Sequence, residues 1–403
     1  MNSKPLKVEP LYWLTIIIIA RFSCGALSNI PLFTILFTFI YIICFIVLFC
    51  FTKERIAGKA IGMFISLFTY AAEVIYITYT KTNNMFNTQA FNTYVIVALF
   101  FIYNWLKEAE REKKRTIISV SIAGYLFTFV YSIVKLYQDP LLSRKKAASI
   151  VTENSVDTIN GVGGFDTVYG ALLIICVLLF LYFYIPKGCH GIMYWAVLFS
   201  GIVFLIMATF ATSIVLLACI LVIWFFSRNK LLASITLVLV TIGIFYHVPI
   251  GQSIMEFSET ITFSAPMAEK IYEVGYMICN GEMAGTLAGE EGRIARMMWS
   301  WDAFLQYPIF GAYAKSGVRI GGHSEIVDTL GRFGLFGFFS IVCFFTFLYF
   351  DTREKLRDKR AKLCQNVVYC IFVLTSFLNP SLYMQIVVPL FIIVPYWEDA
   401  MGY

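Results

Sequence analysis

Apolar runs of about 20 residues, parted by short polar breaks, fill most of this chain. Runs of that length match the hydrocarbon thickness of a bilayer when coiled as helices. Read this way, the pattern predicts spans near 10–26, 29–51, 60–80, 88–106, 116–137, 167–185, 191–209, 212–226, 231–249, 325–350, 365–379 and 382–397. The expected fold is an all-α polytopic membrane protein with about 12 transmembrane helices. The pattern lapses in two longer segments, 138–166 and 250–324. The chain therefore divides into a membrane domain over 1–249, a large outer loop over 250–324 and a second membrane domain over 325–403.

The large loop has a periodicity of its own. Ile294, Met297, Met298, Trp301 and Leu305 fall on one stripe of a helix over 293–307, with Arg293, Arg296, Ser300 and Ala303 opposite. Such a helix is expected to lie on the outer membrane surface, its apolar stripe buried and its arginines raised toward water. Pro308 and Gly311 end it. A second helix is expected from Ser324, a capping residue type, and carries Glu325, Asp328, Thr329 and Arg332 on one face. Arg332 reads equally well as a counter-ion for Asp328 or as a substrate contact, because charges at membrane depth usually pair.

Composition agrees with the span pattern: 403 residues, 59% of them hydrophobic and 14% charged. Mean hydropathy is +0.77. Charge then sets the orientation. With the N-terminus inside, more than half of the 31 basic residues fall in short inner loops, including Lys107–Arg115 and Arg353–Lys362, as the positive-inside rule requires. The net charge of +6 thus points to an anionic leaflet and not to nucleic acid. No cleavable signal is evident, and the first helix is expected to stay. The ten cysteines form no CxxC pair, which leaves neither a disulfide framework nor a metal site to expect. Arg21, Lys135 and His247 lie toward outer helix ends, where snorkelling explains the first two. Glu73 and Asp166 are too short to snorkel and are expected to line a polar outer cavity or to pair with a cation, with Arg332 and Asp328 as further cavity-lining candidates.

Arginine, then Trp301, then PIFG at 308–311, GGHSE at 321–325 and GRFGLFG at 331–337 form an ordered series, preceded by GGFDTVYG at 163–170. This series resembles the bacterial O-antigen polymerase and ligase superfamily, and most of all its capsule and O-antigen polymerases, called Wzy. The resemblance implies a scaffold likened to the GT-C glycosyltransferases. It also implies undecaprenyl-diphosphate-linked oligosaccharides as substrates, no cofactor and no metal. The implied location is the bacterial cytoplasmic membrane with the active site facing outward. A chain-length-determining copolymerase is a conceivable partner.

The residues suit that chemistry. A lipid diphosphate leaving group calls for permanently protonated, forked donors. Arg296 and Arg319 are the leading candidates, with Arg293 a third because the register of the family's arginine is not unique here. The acceptor hydroxyl calls for a base: His323 matches the family's histidine, and Glu325 could orient it or serve instead. One departure stands out. The middle-helix stretch MATFATSIVLLA holds Thr212 and Ser213 but lacks the arginine many relatives carry there. Arg144, Lys145 and Lys146 could substitute electrostatically, although a polybasic loop at lipid head groups is the plainer reading. A ligase acting on a finished glycan shares the same chemistry. A lipid-linked oligosaccharide flippase has a similar helix count, but no half-to-half repeat is visible and the charge gathers in one outer loop.

Overall fold

A computed structural model describes residues 10–28, 33–51, 56, 58–82, 88–139, 142–143, 161–185, 189–208, 210–227, 231, 234–235, 238, 245–262, 265–280, 293–312, 315 and 317–402. Most of the expected span 231–249 and the triplet Arg144–Lys145–Lys146 lie outside the described residues.

Among the described residues the secondary structure is entirely helical. The helices are α1 (Pro10–Ser23), α2 (Gly25–Ser28), α3 (Phe33–Phe51), α4 (Lys59–Thr82), α5 (Thr88–Glu108), α6 (Arg111–Gln138), α7 (Phe165–Phe180), α8 (Cys189–Ala208) and α9 (Ala211–Phe226). Then come α10 (His247–Glu259), α11 (Ala265–Asn280), α12 (Arg293–Gln306), α13 (Glu325–Lys355), α14 (Lys359–Leu378), α15 (Met384–Val388) and α16 (Val394–Met401). A π-helical turn over Pro389–Ile393 joins the last two. Among the described residues, seven helices are long and apolar enough to cross a membrane, and four shorter apolar ones accompany them.

The central element is α7, in which every side chain from Thr167 to Phe180 is buried. Its sequence is apolar on all sides, as a helix enclosed by other helices must be. It packs on α8, α14 and α15, while α6 joins α1 and α8, and α4 lies along α13. Gly170 lets α7 approach α15 closely, for a Cβ there would stand 2.6 Å from the Gln385 carbonyl oxygen.

The two ends of this bundle differ in chemistry. At one end, Asp351 accepts ion pairs from Lys107 at 3.0 Å and Lys355 at 3.1 Å, and Lys114 meets Asp399 at 3.0 Å. Lys59 pairs with Glu354, and Glu398 accepts the Arg357 and Asp358 N–H groups. Lys59 and the basic segments 107–115 and 353–362 meet here. The other end gathers the starts of α7, α13 and α15 and the end of α14, with α12 packed on α13.

One long helix is broken. Gly334 in α13 has φ +63°, a conformation that side chains with a Cβ rarely adopt. The break frees backbone N–H groups that the PIFG segment satisfies: Leu335 donates to the Pro308 carbonyl at 2.8 Å and Phe336 to the Ile309 carbonyl at 3.0 Å. Ala312 returns the arrangement by donating to the Gly331 carbonyl at 2.8 Å. The two glycine-bearing motifs therefore form one main-chain seam.

Candidate functional site

Helix α12 delivers the arginines. Its polar face turns inward: Ser300 and Ala303 are buried against α13 and the 320–322 loop, while Ile294, Met298, Trp301 and Leu305 are exposed. The sequence reading raised this face toward water. The structure corrects that: its neighbour is protein. The exposed apolar stripe fits a lipid contact, so amphipathicity here divides protein from bilayer rather than core from solvent.

Close approach makes this docking possible. Gly321 lies against the backbone of Arg296, where any Cβ would collide with the Arg296 carbonyl. Arg296 Nη1 then reaches His323 Nε2 at 2.9 Å. A guanidinium only donates, so the imidazole nitrogen accepts, which places the ring proton of this neutral histidine on Nδ1. Arg319, on the same glycine-rich loop, lies over the Trp299 ring, 5.5 Å from its centroid. The Arg293 side chain is outside the described residues.

The start of α13 anchors the site. Ser324 caps the helix, its Oγ accepting the Val327 N–H at 3.3 Å, as its residue type predicted. Glu325 Oε2 accepts the N–H groups of Ser381 at 3.0 Å and Leu382 at 3.3 Å, and Thr329 Oγ1 donates to Glu325 Oε1 at 3.4 Å. The Glu325 N–H itself donates to the Asn379 carbonyl. This carboxylate therefore ties α13 to the turn between α14 and α15.

Asp328 is the second acidic group of the stripe, and it is 2% exposed. It accepts Ser300 Oγ–H at 2.5 Å and the Gly322 N–H at 3.1 Å on Oδ1, and the Ser324 N–H at 3.0 Å on Oδ2. It is enclosed rather than cavity-lining.

The other expected ionisable groups converge. Tyr383 lies within electrostatic reach of Glu325, Asp166, Arg332 and Asp328. Tyr70 on α4 lies within electrostatic reach of Glu325, Arg332 and Glu73, and stacks edge-on with Phe333 at 5.7 Å. Glu73 contacts the Gly337 position on α13, where a Cβ would stand 2.5 Å from Oε2. Asp166 occupies the first turn of α7.

The sequence reading missed Ser300, Tyr70, Tyr383 and the Asn379–Leu382 turn. Ser300 carried a faint signal, as a hydroxyl one helical turn after Arg296 on the same face. Tyr70 and Tyr383 carried none, since aromatic residues abound in such chains. Among the described residues no cluster of three metal-ligating side chains occurs. No protein-family model matches the chain, and no curated protein matches it.

Proposed function

We propose that this protein is a polysaccharide polymerase that joins undecaprenyl-diphosphate-linked oligosaccharide units on the outer face of the bacterial cytoplasmic membrane. The observation that carries the reading is the 2.9 Å hydrogen bond between Arg296 and His323, at the end of the helical bundle opposite its lysine-rich one. A phosphate-binding cation and a proton acceptor are thereby adjacent.

In this mechanism the acceptor sugar hydroxyl attacks the anomeric carbon of the donor. The new C–O bond forms as the bond to the lipid diphosphate breaks, and the electron pair leaves on the diphosphate oxygen. Arg296 and Arg319 neutralise that oxygen's charge. The hydroxyl proton passes to His323 Nε2. In the resting site Arg296 occupies that lone pair, so diphosphate binding, by drawing the guanidinium toward its oxygens, frees the base only when donor is present. Glu325, already bonded to the 381–382 backbone, acts by holding α13 in place.

Orientation supports the same reading. The lysine-rich end of the bundle, with Lys107, Lys114 and Lys355, belongs inside by the positive-inside rule, leaving the arginine–histidine end outside. The seven long helices, the four shorter ones and the apolar run 231–249 support a twelve-span scaffold of the GT-C-like kind.

Deletion of the gene, or His323→Ala, tests the proposal through the size distribution of surface glycan. A polymerase defect leaves material of a single repeat unit and abolishes the long ladder. Full-length glycan stranded on the lipid carrier would instead identify a ligase, and repeat units retained inside would identify a flippase.

A further inference from the structure

The loop that carries His323 is glycine-rich on its N-terminal side, with Gly321 and Gly322 in succession. Glycine backbones lose the most conformational freedom on ordering, so such a loop does not hold a side chain still without an anchor. The anchor is a single carboxylate. Gly322 and Ser324, the residues on either side of His323, donate their N–H groups to opposite oxygens of Asp328, at 3.1 and 3.0 Å.

The same carboxylate reaches the helix that carries Arg296. Ser300 Oγ donates to Asp328 Oδ1 and accepts the Gly321 N–H at 2.9 Å. Ser300 lies one helical turn beyond Arg296, on the same face of α12. One buried ion thus fixes the two segments whose side chains meet at the site. Hydrogen bonds to a charged acceptor are roughly twice as strong as neutral ones, which suits this task.

We infer that Asp328 and Ser300 are positioning residues that hold the His323 imidazole against the Arg296 guanidinium, touching neither substrate themselves. The inference rests on the polymerase reading for its catalytic meaning, but the coupling is measurable without any substrate.

The chain has three histidines, His190, His247 and His323. Replacing His190 and His247 by Gln leaves His323 as the only histidine open to diethyl pyrocarbonate, and addition at that residue is followed by peptide mass spectrometry on the purified full chain. Arg296→Ala in that background should speed modification by about three- to tenfold, the scale of one hydrogen bond. Asp328→Asn should do the same, because the amide places a donor where an acceptor is needed. The double variant should react no faster than either single one, since the carboxylate acts through the arginine contact. Ser300→Ala, a milder lesion, should show the same non-additivity and stands in if Asp328→Asn does not fold. Rates unchanged by Asp328→Asn and Ser300→Ala, or effects that multiply with Arg296→Ala, overturn the inference.

A second measurement concerns catalysis. With lipid-linked repeat units as substrate, Ser300→Ala should lower kcat while leaving KM nearly unchanged, and Ser300→Thr, which keeps the hydroxyl, should recover part of the loss. An equal rise in KM would make the cluster a substrate contact and sink the positioning role. Failure of the polymerase reading would leave the histidine-modification result intact, so the two failures are distinguishable.

Discussion

Arg296 reaches a candidate base, His323, and Arg319 lies on the loop that carries it. Arg296→Ala and Arg319→Ala should each lower polymerisation by about 10²–10³ at matched protein levels, the scale of losing one transition-state donor. Lysine at position 296 should recover only part, because the planar fork that can grip two phosphate oxygens is lost. Normal ladders from both alanine variants would remove these arginines from the mechanism. His323→Ala should cost about 10²–10⁴ in turnover. Glu325→Gln should remain active, since an amide oxygen can still accept the Ser381 and Leu382 N–H groups. A dead Glu325→Gln beside an active His323→Ala would make the carboxylate the base. Arg296 and His323 were legible in the sequence because charge is conspicuous in an apolar chain. The work of Asp328 was not: its spacing placed it on a polar stripe, but its partners arrive from α12 and the 321–324 loop, and tertiary contacts of that kind leave no local pattern.

At the scale of elements, helix existence was easy to read and helix orientation was not. The expected helix over 293–307 is Arg293–Gln306 in the structure, and Ser324 caps α13 as its type suggests. The apolar stripe of α12 is exposed, as a lipid contact requires, but the opposite face, expected to meet water, packs on α13 through Ser300 and Ala303. The span expected over 365–379 begins earlier, at Lys359, because a helix continues through its charged first turns beyond the apolar run. The bend at Gly334 was also hidden, for nothing in GRFGLFG reveals a positive φ. Gly334→Ala tests the seam. It forces a side chain into a positive-φ conformation that is nearly confined to glycine, at about 1–3 kcal/mol, and collides with the Ile309 carbonyl. The variant should unfold at lower temperature in detergent and expose the 308–312 segment to proteolysis, whereas alanine at Gly317, where open space surrounds the position, should bring strain without collision and a smaller loss. Equal stability of the two variants would mean that the seam contributes nothing.

For the whole molecule, the sorting of charge to opposite ends predicts sidedness. In a cysteine-free background, Lys315→Cys should react with a membrane-impermeant thiol reagent applied to intact cells, and Arg357→Cys should react only after permeabilisation. The reverse pattern would turn the protein over and place the arginine–histidine site in the cytoplasm. The broken α13 has a consequence for the field inside this bundle. Below Gly334 a new helix begins, and the first turn of any helix carries roughly half a positive elementary charge from its aligned peptide dipoles. Glu73 lies against Gly337, in that turn, and neither of its carboxylate oxygens has a hydrogen-bond partner among the described residues. The bend therefore provides a counter-field for an acid placed at membrane depth, and straightening the helix would withdraw it. Glu73→Gln, which needs no such field, should lessen the thermal destabilisation of Gly334→Ala; if the two losses simply add, the carboxylate and the bend are independent.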